Sequence, residues 1–371
     1  MSYLTEIARS VVPYDPSDKA ALRAFQRAYF GRASRQCDDI FSEWLFERNP
    51  HRDASRPSIW LCKRDGVVVG QQASIPVLLK ANELQFRAAW LIDLMVHPAW
   101  RLKGIAPALT AAHAKNNEVI LGLGLEDTVY RSFRRSGWTD LGTLLLFVRP
   151  LDPRACAEGL NAPKLLANLV PRVLTRGTAS IMGKVSGGLT RISFEPIQQF
   201  DERVDGACAA ATRDYPLLVK RDFASLRWRF DEIPYHARYE RYYLVRRGKV
   251  IGYVVMRCGN WHGYTVARVV DYMSERRWLS ALFALAIAEA NANGAVAVFI
   301  EHLHAGCDAI LTSLGCVRVR ASERFISSVR ERDNPLAGKL AHAARWFVSP
   351  ADSDLDQIAV SLEPTRAHAT R

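Results

Sequence analysis

The sequence has no long apolar run and no basic leader. None of its 371 residues lies in a stretch approaching the roughly 20 uninterrupted apolar residues that a membrane-spanning helix needs. Its first fifteen residues, MSYLTEIARSVVPYD, lack the basic-then-apolar order of a secretory signal peptide. We therefore expect a cytoplasmic protein with no integral membrane segment.

The sequence also lacks the cysteine and carboxylate spacing that disulfide or metal sites require. Its seven cysteines are odd in number, scattered, and nowhere form a C-x-x-C pair, which is typical of small core residues in a reducing compartment. Asp352, Asp354 and Asp356 alternate as calcium ligands do, but the glycine and distal glutamate of a calcium loop are missing. The sequence therefore predicts no metal.

Positive charge is in excess. The chain has 50 Lys and Arg against 38 Asp and Glu, a formal net charge of +12. Nucleic acid, a phosphate-rich cofactor, an acidic carrier protein and an anionic membrane surface all suit such a balance. The segment 221–245 interleaves arginines with aromatic residues, which fits nucleic-acid binding or a helix docked through its apolar residues. We predict the docked helix and no nucleic-acid partner.

The apolar pattern predicts an α/β protein. At this length two domains are expected, because one core rarely organises so long a chain. Alternating and β-branched runs predict strands near 7–14, 58–64, 67–79, 85–96, 118–125 and 143–151. Helical spacing predicts helices over 18–30, 104–117 and 126–137. This order is typical of a mixed α/β sheet domain.

The second half of the chain repeats the motifs of the first. DGVVVGQQASI from residue 65 is echoed by RGKVIGYVVMR from residue 247, and FRRSGW from residue 133 by LTSLGC from residue 311. LIDLM and VVDYM likewise place Asp93 opposite Asp271. We predict a duplicated domain, with a first domain at 1–152, a linker at 153–188, a second domain at 189–330, and a C-terminal helix and tail at 331–371.

The apolar and basic residues of the predicted linker leave two interpretations open. They suit a helix lying on a membrane surface, or a linker packed on the domains. Pro163 and Pro171 would break a long helix into short pieces, which favours the packed linker.

The stretch VHPAWRLKGIA, 96–106, lies where an apolar strand gives way to a helix. A loop that holds a diphosphate needs convergent backbone N–H groups, little side-chain bulk and the positive end of a helix. Gly104 permits close approach and unusual dihedral angles, Ala106 keeps the first helical turn open, and Arg101 and Lys103 add positive charge. An ordinary strand-to-helix connection shares this outline, so the turn alone leaves both interpretations open.

The wider string resembles the acyl-CoA binding motif of the GNAT N-acetyltransferase superfamily, V-x-P-x-x-[RQ]-x-x-G-x-[GA]. The motif is satisfied at Val96, Pro98, Arg101, Gly104 and Ala106. A three-strand meander precedes it and a helix ending in SGW follows, as in that family. The resemblance covers about residues 1–150 strongly and about 190–330 as a degenerate copy. It implies two tandem acyl-CoA N-acyltransferase-like domains that use acetyl-CoA or another acyl-CoA.

The resemblance also implies a site built largely from main chain. The donor's pantetheine would lie in a V-shaped opening between two parallel central strands and pair with backbone groups of Met95 and Val96. The amide near Met95 would polarise the thioester carbonyl. The pyrophosphate would be held by N–H groups of the motif loop, namely Arg101, Leu102, Lys103, Gly104, Ile105 and Ala106.

The second copy lacks this loop. LSALFA replaces the segment from Arg101 to Ala106, with no glycine and no positive charge, and Leu282 stands where Gly104 stands in the first copy. A bulky side chain there would block a phosphate. We predict one cofactor site, in the first domain, and a second domain that serves packing or shapes the acceptor pocket.

Asp93 is the first candidate for a catalytic group. Acyl transfer to an amine requires that a proton leave the nitrogen, and Asp93 lies three residues before Val96 on the strand expected to flank the reacting centre. A carboxylate with a purely structural role is the alternative, since Asp271 recurs in the copy that lacks the loop. His97 is a further candidate base in the adjoining loop.

Two sources are open for the proton that the leaving sulfur takes. Members of the family often carry a tyrosine four residues before the glycine of the final helix, where this chain has Phe133. Tyr130 lies nearly one helical turn earlier and is a candidate replacement, with protonation by solvent as the alternative. Glu126 is a candidate for binding the acceptor amine, or serves the helix N-terminus instead.

The sequence thus predicts an N-acyltransferase that moves an acetyl or other acyl group from coenzyme A to a primary amine of a small molecule or amino sugar. Two alternatives stay open. The donor could be carried by an acyl carrier protein, which the positive charge would suit. The protein could also be a non-catalytic module that binds a cofactor or a precursor, because the usual acid is absent at Phe133.

Overall fold

The computed structural model describes residues 3–159, 172–234, 239–319, 323–330 and 335–358. Its strands are β1 (Val11–Pro13), β2 (Ile59–Arg64), β3 (Val67–Ala81), β4 (Leu84–Val96), β5 (Val119–Leu123), β6 (Thr139–Thr143), β7 (Leu145–Pro150), β8 (Ile192–Pro196), β9 (Leu217–Val219), β10 (Tyr239–Arg246), β11 (Lys249–Trp261), β12 (Tyr264–Ser274), β13 (Ala297–His302), β14 (Val317–Val319), β15 (Arg324–Val329) and β16 (Trp346–Phe347).

The helices of the described residues are α1 (Tyr3–Arg9), α2 (Lys19–Phe30), α3 (Asp39–Ser42), α4 (Ile105–Asn116), α5 (Asp127–Arg135), α6 (Pro153–Gly159), α7 (Arg172–Thr190), α8 (Arg203–Ala211), α9 (Phe223–Phe230), α10 (Leu279–Ala292), α11 (Cys307–Ser313), α12 (Pro335–Leu340) and α13 (Leu355–Ile358). A turn of π-helix, Glu43–Glu47, continues α3. Among these helices, none combines the length and apolar character needed to cross a bilayer.

The chain divides into two compact units. Unit 1 comprises Met1–Gly142, Trp228–Pro234 and Glu323–His342, and unit 2 comprises Thr143–Arg227, Tyr235–Ser322 and Ala343–Arg371. The sheet of unit 1 has the strand order β1-β2-β3-β4-β5-β15-β6. The sheet of unit 2, starting from β8, has the order β8-β10-β11-β12-β13-β7-β14. The two orders correspond strand for strand, so the predicted duplication of an α/β domain is confirmed.

One strand of each sheet comes from the other half of the sequence. β7 follows β6 along the chain but pairs antiparallel with β13 in unit 2. β15 follows β14 but pairs antiparallel with β5 in unit 1. The structure therefore differs from the predicted division at residue 152, because the strand predicted near 143–151 completes the second sheet and a strand near 324–329 takes its place in the first.

The beginning of the chain differs from the expected strand. The strand predicted near 7–14 is reduced to β1, and α1 precedes it. Ile7 on α1 is buried with Ile105 and Leu109 of α4, together with Val69 and Val96 of the sheet. Burial of this apolar residue on a helical face holds α1 against the sheet.

The predicted linker is largely helical in its described part. α6 and α7 lie on either side of residues 160–171, and Pro163 and Pro171 fall outside the described residues. α7 packs closely on α10, since a Cβ at Gly183 would lie 2.5 Å from the Cβ of Ala288. A helix packed within unit 2 agrees with the interpretation of 153–188 as a segment packed on the protein.

The aspartates of the C-terminal segment are buried in a network within unit 2. Arg221 donates to Asp352 at 2.6 Å and to Asp271 at 3.1 Å, and Tyr253 donates to Asp271 at 2.6 Å. Burial raises the pKa of Asp352, although the Arg221 guanidinium opposes this effect. Asp356 accepts a hydrogen bond from Tyr239 at 2.5 Å. These contacts give two of the three alternating carboxylates a structural role.

Asp271→Asn tests this network. The substitution removes one of the negative charges that pair with the Arg221 guanidinium, and the side chain of Arg221 is only 5% exposed. We expect the free energy of unfolding to fall by about 3 kcal/mol, as measured by urea denaturation. Asp127→Asn breaks the exposed pair with Arg324, and should cost less than about 1 kcal/mol. Equal losses in the two variants would contradict the structural role assigned to Asp271.

Candidate functional site

In unit 1 the two central parallel strands separate at one end. β4 and β5 pair at Ala88 with Val119, Ala89 with Ile120, and Trp90 with Leu121. β4 then continues to Val96 and β5 to Leu123 without further pairing between them. The opening leaves main-chain groups of β4 facing a gap between the strands. It lies where the V-shaped opening was expected.

A β-bulge lies on β4 at this opening. Opposite β3, Gln71 pairs with Met95 and Ala73 pairs with Ile92, so β4 carries one extra residue between these pairs. Asp93 lies in the bulge with φ of 50°, a left-handed conformation that few residues other than glycine adopt. Asp271 in unit 2 also lies beside a bulge, since Val255 pairs with Asp271 and Met256 with Val269, but Asp271 has no such φ. The two aspartates therefore have different backbone settings despite their matching positions.

The turn after β4 contains two residues in the left-handed conformation. Leu102 has φ of 62° and Gly104 φ of 84°, both left-handed. Within the described chain the amides of residues 102 to 104 donate to no backbone acceptor. α4 begins at Ile105, and the first amides of a helix have no intrahelical partner. Successive free N–H groups beside a helix N-terminus suit a phosphate.

Two cations lie beside the turn. Lys103 Nζ is 4.7 Å and the Arg64 guanidinium carbon 5.4 Å from the centre of the Trp100 ring. Arg101 donates to the carbonyl of Val96 at 3.3 Å, and Leu102 is fully exposed. The turn is therefore open to solvent and flanked by positive charge.

Close packing fixes the start of α4 against the sheet. A Cβ at Gly70 on β3 would lie 2.8 Å from Cγ2 of Ile105. Ile105 and Leu109 are almost completely buried against Val69 and Val96. Glycine at position 70 thus lets the helix approach the end of β4, which places the amides of the turn beside the opening.

Unit 2 has no such turn. α10 starts at Leu279, and Leu282 is buried inside that helix. The matching opening between β12 and β13 is crossed by the chain itself: Val348 exchanges two backbone hydrogen bonds with Leu303, just after β13, and Ser349 donates to Asp271 of β12 at 2.7 Å. The second copy therefore lacks both the turn and the free space of the first.

A shallow cleft, with space for about one water molecule, lies in unit 1 beside Asp93. Its floor is Asp93 of β4 with Gln71 and Ala73 of β3. Its other walls come from α2, the 3₁₀ turn Arg35–Cys37, α3, the π-helical turn and β2. Its lining includes Arg35, Gln36, Phe41, Leu45 and Ile59.

Asp93 is held by two residues of the 3₁₀ turn. Gln36 donates to its Oδ1 at 2.8 Å, and Arg35 Nη2 lies 3.5 Å from the same oxygen. The side chains of Asp93 and Arg35 are 12% and 15% exposed. Asp93 is thus an ion-paired carboxylate at the floor of an open cleft.

Gln71 was not predicted from the sequence. It lies two residues before Ala73 on β3, is 2% exposed, and donates to the backbone carbonyl of Asp93 at 3.2 Å. Its Oε1 is buried and accepts no hydrogen bond from the described residues. A glutamine in an apolar strand is the signal that could have found it, because a buried polar side chain requires a partner.

Tyr130, the predicted proton donor, is half-buried, and Phe133, which occupies the position of the family's tyrosine, belongs to the core. Phe133 stacks on Trp138 with ring centres 4.5 Å apart. Tyr130 packs against the same apolar cluster as Leu94 of β4 and donates to Asp140 at 2.6 Å. This hydrogen bond to a carboxylate is the main reason why the pKa of Tyr130 is raised.

The remaining candidate site residues, Glu126 and His97, lie at the ends of secondary-structure elements. Glu126 is exposed at the N-cap of α5, and its side chain makes no capping hydrogen bond. Nδ1 of His97 accepts from the amide of Ala99 at 3.1 Å, and its ring meets Tyr29 edge to face. The structure thus gives His97 a role in shaping the turn after β4.

The segment 223–230 is a docked helix. Leu226, Trp228 and Phe230 of α9 are buried. In unit 1 the Trp228 ring stacks on Trp44 of the π-helical turn, with centres 5.0 Å apart, and each indole N–H donates to the other's backbone carbonyl. This contact supports the turn that carries Leu45 of the cleft.

Comparison with solved structures defines the fold class. The chain is similar to a GCN5-related N-acetyltransferase from Anabaena variabilis, with a TM-score of 0.59, 12% identity, and coverage of 86% of this chain and 72% of that one. It is similar to Saccharomyces cerevisiae N-myristoyltransferase with bound myristoyl-CoA, with a TM-score of 0.52, 11% identity, and coverage of 86% and 78%. No protein-family model and no curated protein matches the sequence.

The chain is also similar to a probable N-acyltransferase from Enterococcus faecalis, with a TM-score of 0.59, 12% identity, and coverage of 86% of this chain and 72% of that one. The chain therefore has a GNAT-type fold in tandem form, as the motif in residues 96–106 predicted.

Proposed function

We propose that the protein is an acyl-CoA-dependent N-acyltransferase whose site lies in unit 1. The observation that carries this proposal is the left-handed turn at the start of α4, beside the point where β4 and β5 separate. An extended chain ending in a diphosphate fits this pair of features, since the opening offers main-chain partners and the turn offers free amides. Unit 2 offers neither.

The turn would bind the diphosphate through its main chain. Its free amides and the N-terminus of α4 are preorganised, because Gly104 adopts its left-handed conformation without strain. Lys103 and Arg64 add charge from the side of Trp100. The residues in this role are Arg101, Leu102, Lys103, Gly104, Ile105 and Ala106.

Met95 and Val96 would bind the pantetheine arm at the opening. Bound acyl-CoA supplies a thioester, and the amide near Met95 would stabilise the charge that develops on its oxygen. The bulge at Asp93 directly precedes these residues. The cleft proposed for the acceptor and the strand proposed to bind the donor would therefore meet at one point of β4. This arrangement would align the amine with the thioester.

Asp93 would take the proton that the acceptor amine loses. The cationic amine first loses one proton to water. As the neutral nitrogen forms the new amide bond and the carbon–sulfur bond breaks, its second proton passes to Asp93 and the sulfur takes one from Tyr130 or from water. Glu126, exposed at the start of α5, would attract the cationic amine. The acceptor we propose is a primary amine of a small molecule or amino sugar.

Tyr130→Phe tests the proton donor. The hydrogen bond to Asp140 raises the pKa of Tyr130 above its usual value of 10, so the phenol stays protonated through mildly alkaline pH. We expect the variant to lose kcat on the order of 10-fold and to lose the decline in activity above pH 10. Tyr264→Phe removes a similar tyrosine–carboxylate hydrogen bond in unit 2 and should change neither. An unchanged pH profile in Tyr130→Phe would assign protonation to solvent.

Thiol release tests the proposed function itself. Acetyl-CoA incubated with the protein and a panel of primary amines should release free coenzyme A and yield an acetylated amine identified by mass spectrometry. Binding of coenzyme A without release from any amine would instead favour a non-catalytic binding module. Release only from an acylated carrier protein would favour that donor.

A further inference from the structure

We propose, resting on the proposed function, that Arg23 is a positioning residue for Asp93 and acts through the main chain of Gln36. Arg23 lies on α2 and is not among the residues that line the cleft. Its side chain is only 11% exposed, whereas most arginines lie at the surface. Its hydrogen-bond partners belong to α2 itself and to the chain segment that covers Asp93.

The guanidinium of Arg23 joins α2 to the segment that follows it. Nε and Nη2 donate to Oδ1 of Asp39, at the start of α3, at 3.0 and 2.8 Å. Nη1 donates to Oε1 of Gln26 at 2.6 Å and to the backbone carbonyl of Gln36. The planar fork of an arginine makes several such bonds at once in a fixed geometry. The 3₁₀ turn Arg35–Cys37 is therefore held from α2 by a nearly buried group.

The same turn carries the two groups that hold Asp93. Gln36 donates to its Oδ1 at 2.8 Å, and Arg35 Nη2 lies 3.5 Å from the same oxygen. The cleft beside Asp93 has space for about one water molecule, so the turn lies close over the carboxylate. A movement of about 1 Å at Gln36 would stretch its bond to Asp93 beyond hydrogen-bonding distance. Arg23 thus fixes the carboxylate by way of a residue that contacts it.

Both groups of the turn favour the charged form of Asp93, which is the form that can accept a proton. Among the described residues that line the cleft, Arg35 is the only one besides Asp93 with a charged side chain. Displacement of the turn should therefore make the carboxylate easier to protonate. It should also release the carboxylate from the orientation that proton transfer requires.

Arg23→Gln tests this role, with Lys19→Gln as the matched control. Lys19 pairs with the other oxygen of Asp39 at 3.0 Å, and both side chains are exposed. The control removes a positive charge beside the same carboxylate without removing the donor to Gln36. We expect Arg23→Gln to lower kcat roughly 10-fold and to move the acidic limb of the pH profile of kcat/KM upward by about one pH unit. Both variants should retain the Kd of coenzyme A, and Lys19→Gln should retain kcat and the pH profile.

NMR of the isotope-labelled Asp93 carboxyl carbon gives a readout that needs no turnover, and Asp93→Asn identifies the resonance. Its titration midpoint should rise in Arg23→Gln as the kinetic limb does, and should stay unchanged in Lys19→Gln. Arg23→Lys keeps the charge but has one ammonium group in place of the fork, so it should give a smaller rise even if Arg23→Gln does not fold. A midpoint that does not rise in the folded variants would overturn the inference.

A double-mutant cycle tests the route through Gln36. Gln36→Ala should reproduce the changes of Arg23→Gln, and the double variant should change kcat and the midpoint little further, because both substitutions remove the same contact to Asp93. Losses that multiply in the double variant would overturn the inference while acyl transfer stands. If no amine is acetylated, the proposed function fails, whereas the titration midpoints of the four proteins in the cycle still decide whether Arg23 positions Asp93.

Discussion

Replacing Gly104 with valine is expected to weaken coenzyme A binding on the order of 100-fold. Gly104 has φ of 84° at the N-cap of α4, and a β-branched residue in that conformation is strained. Relief of the strain would rotate the amides of residues 102–104 away from a common point. Isothermal titration calorimetry of coenzyme A into both proteins measures the change.

Gly66→Val provides the matched control. Gly66 has φ of 78° in the turn between β2 and β3, and no heavy atom lies within 4 Å of a Cβ placed there. The substitution carries a similar backbone cost without touching the proposed phosphate site. An equal loss of affinity in the two variants, or no loss in Gly104→Val, would contradict the role of the turn.

Asp93→Asn is expected to lower kcat by roughly 100-fold or more while leaving the Kd of coenzyme A unchanged. Asparagine has nearly the same shape and also tolerates the left-handed conformation, so the bulge should persist. Only the capacity to accept the amine's proton is lost. Steady-state kinetics with the best acceptor, together with calorimetry of coenzyme A, separates the two effects.

Asp65→Asn is the control for this substitution. Asp65 has φ of 49°, nearly the same as Asp93, but lies in the turn between β2 and β3. The Asp65→Asn variant should therefore have an unchanged kcat. If Asp93→Asn kept full kcat, or if it lost coenzyme A binding as well, Asp93 would be a structural residue of β4 and the proton would leave by another route.

Local patterns predicted the elements that make the site. The alternation at 85–96 gave β4, the spacing at 104–117 gave α4, and Gly104 marked the change between them. These features are visible in sequence because each depends on residues close together in the chain. The copy at 279–284 likewise predicted, from the absence of glycine, that unit 2 would have no turn.

Features that depend on distant residues were not predictable in this way. An apolar strand such as β7 has the same pattern whichever sheet it completes, so the exchange of β7 and β15 left no local signal. The bulge at Asp93 arises from the register between β3 and β4. The segment 346–349 that crosses the opening of unit 2 is separated from β12 by a long stretch of sequence.

The cleft beside Asp93 likewise depends on residues that are distant in sequence. Arg35 and Gln36 approach Asp93 only because a 3₁₀ turn after α2 folds back over β4. Gln71 becomes relevant only because β3 pairs beside the bulge. Sequence analysis therefore found Asp93 but none of the residues that surround it.

Hydrogen–deuterium exchange with and without coenzyme A tests the central claim most directly, because the proposed contacts are main-chain amides. We predict slower exchange at 101–106 when coenzyme A is present, and no change at the corresponding segment 279–284. Unchanged exchange at 101–106 under saturating coenzyme A, or protection confined to unit 2, would contradict the account.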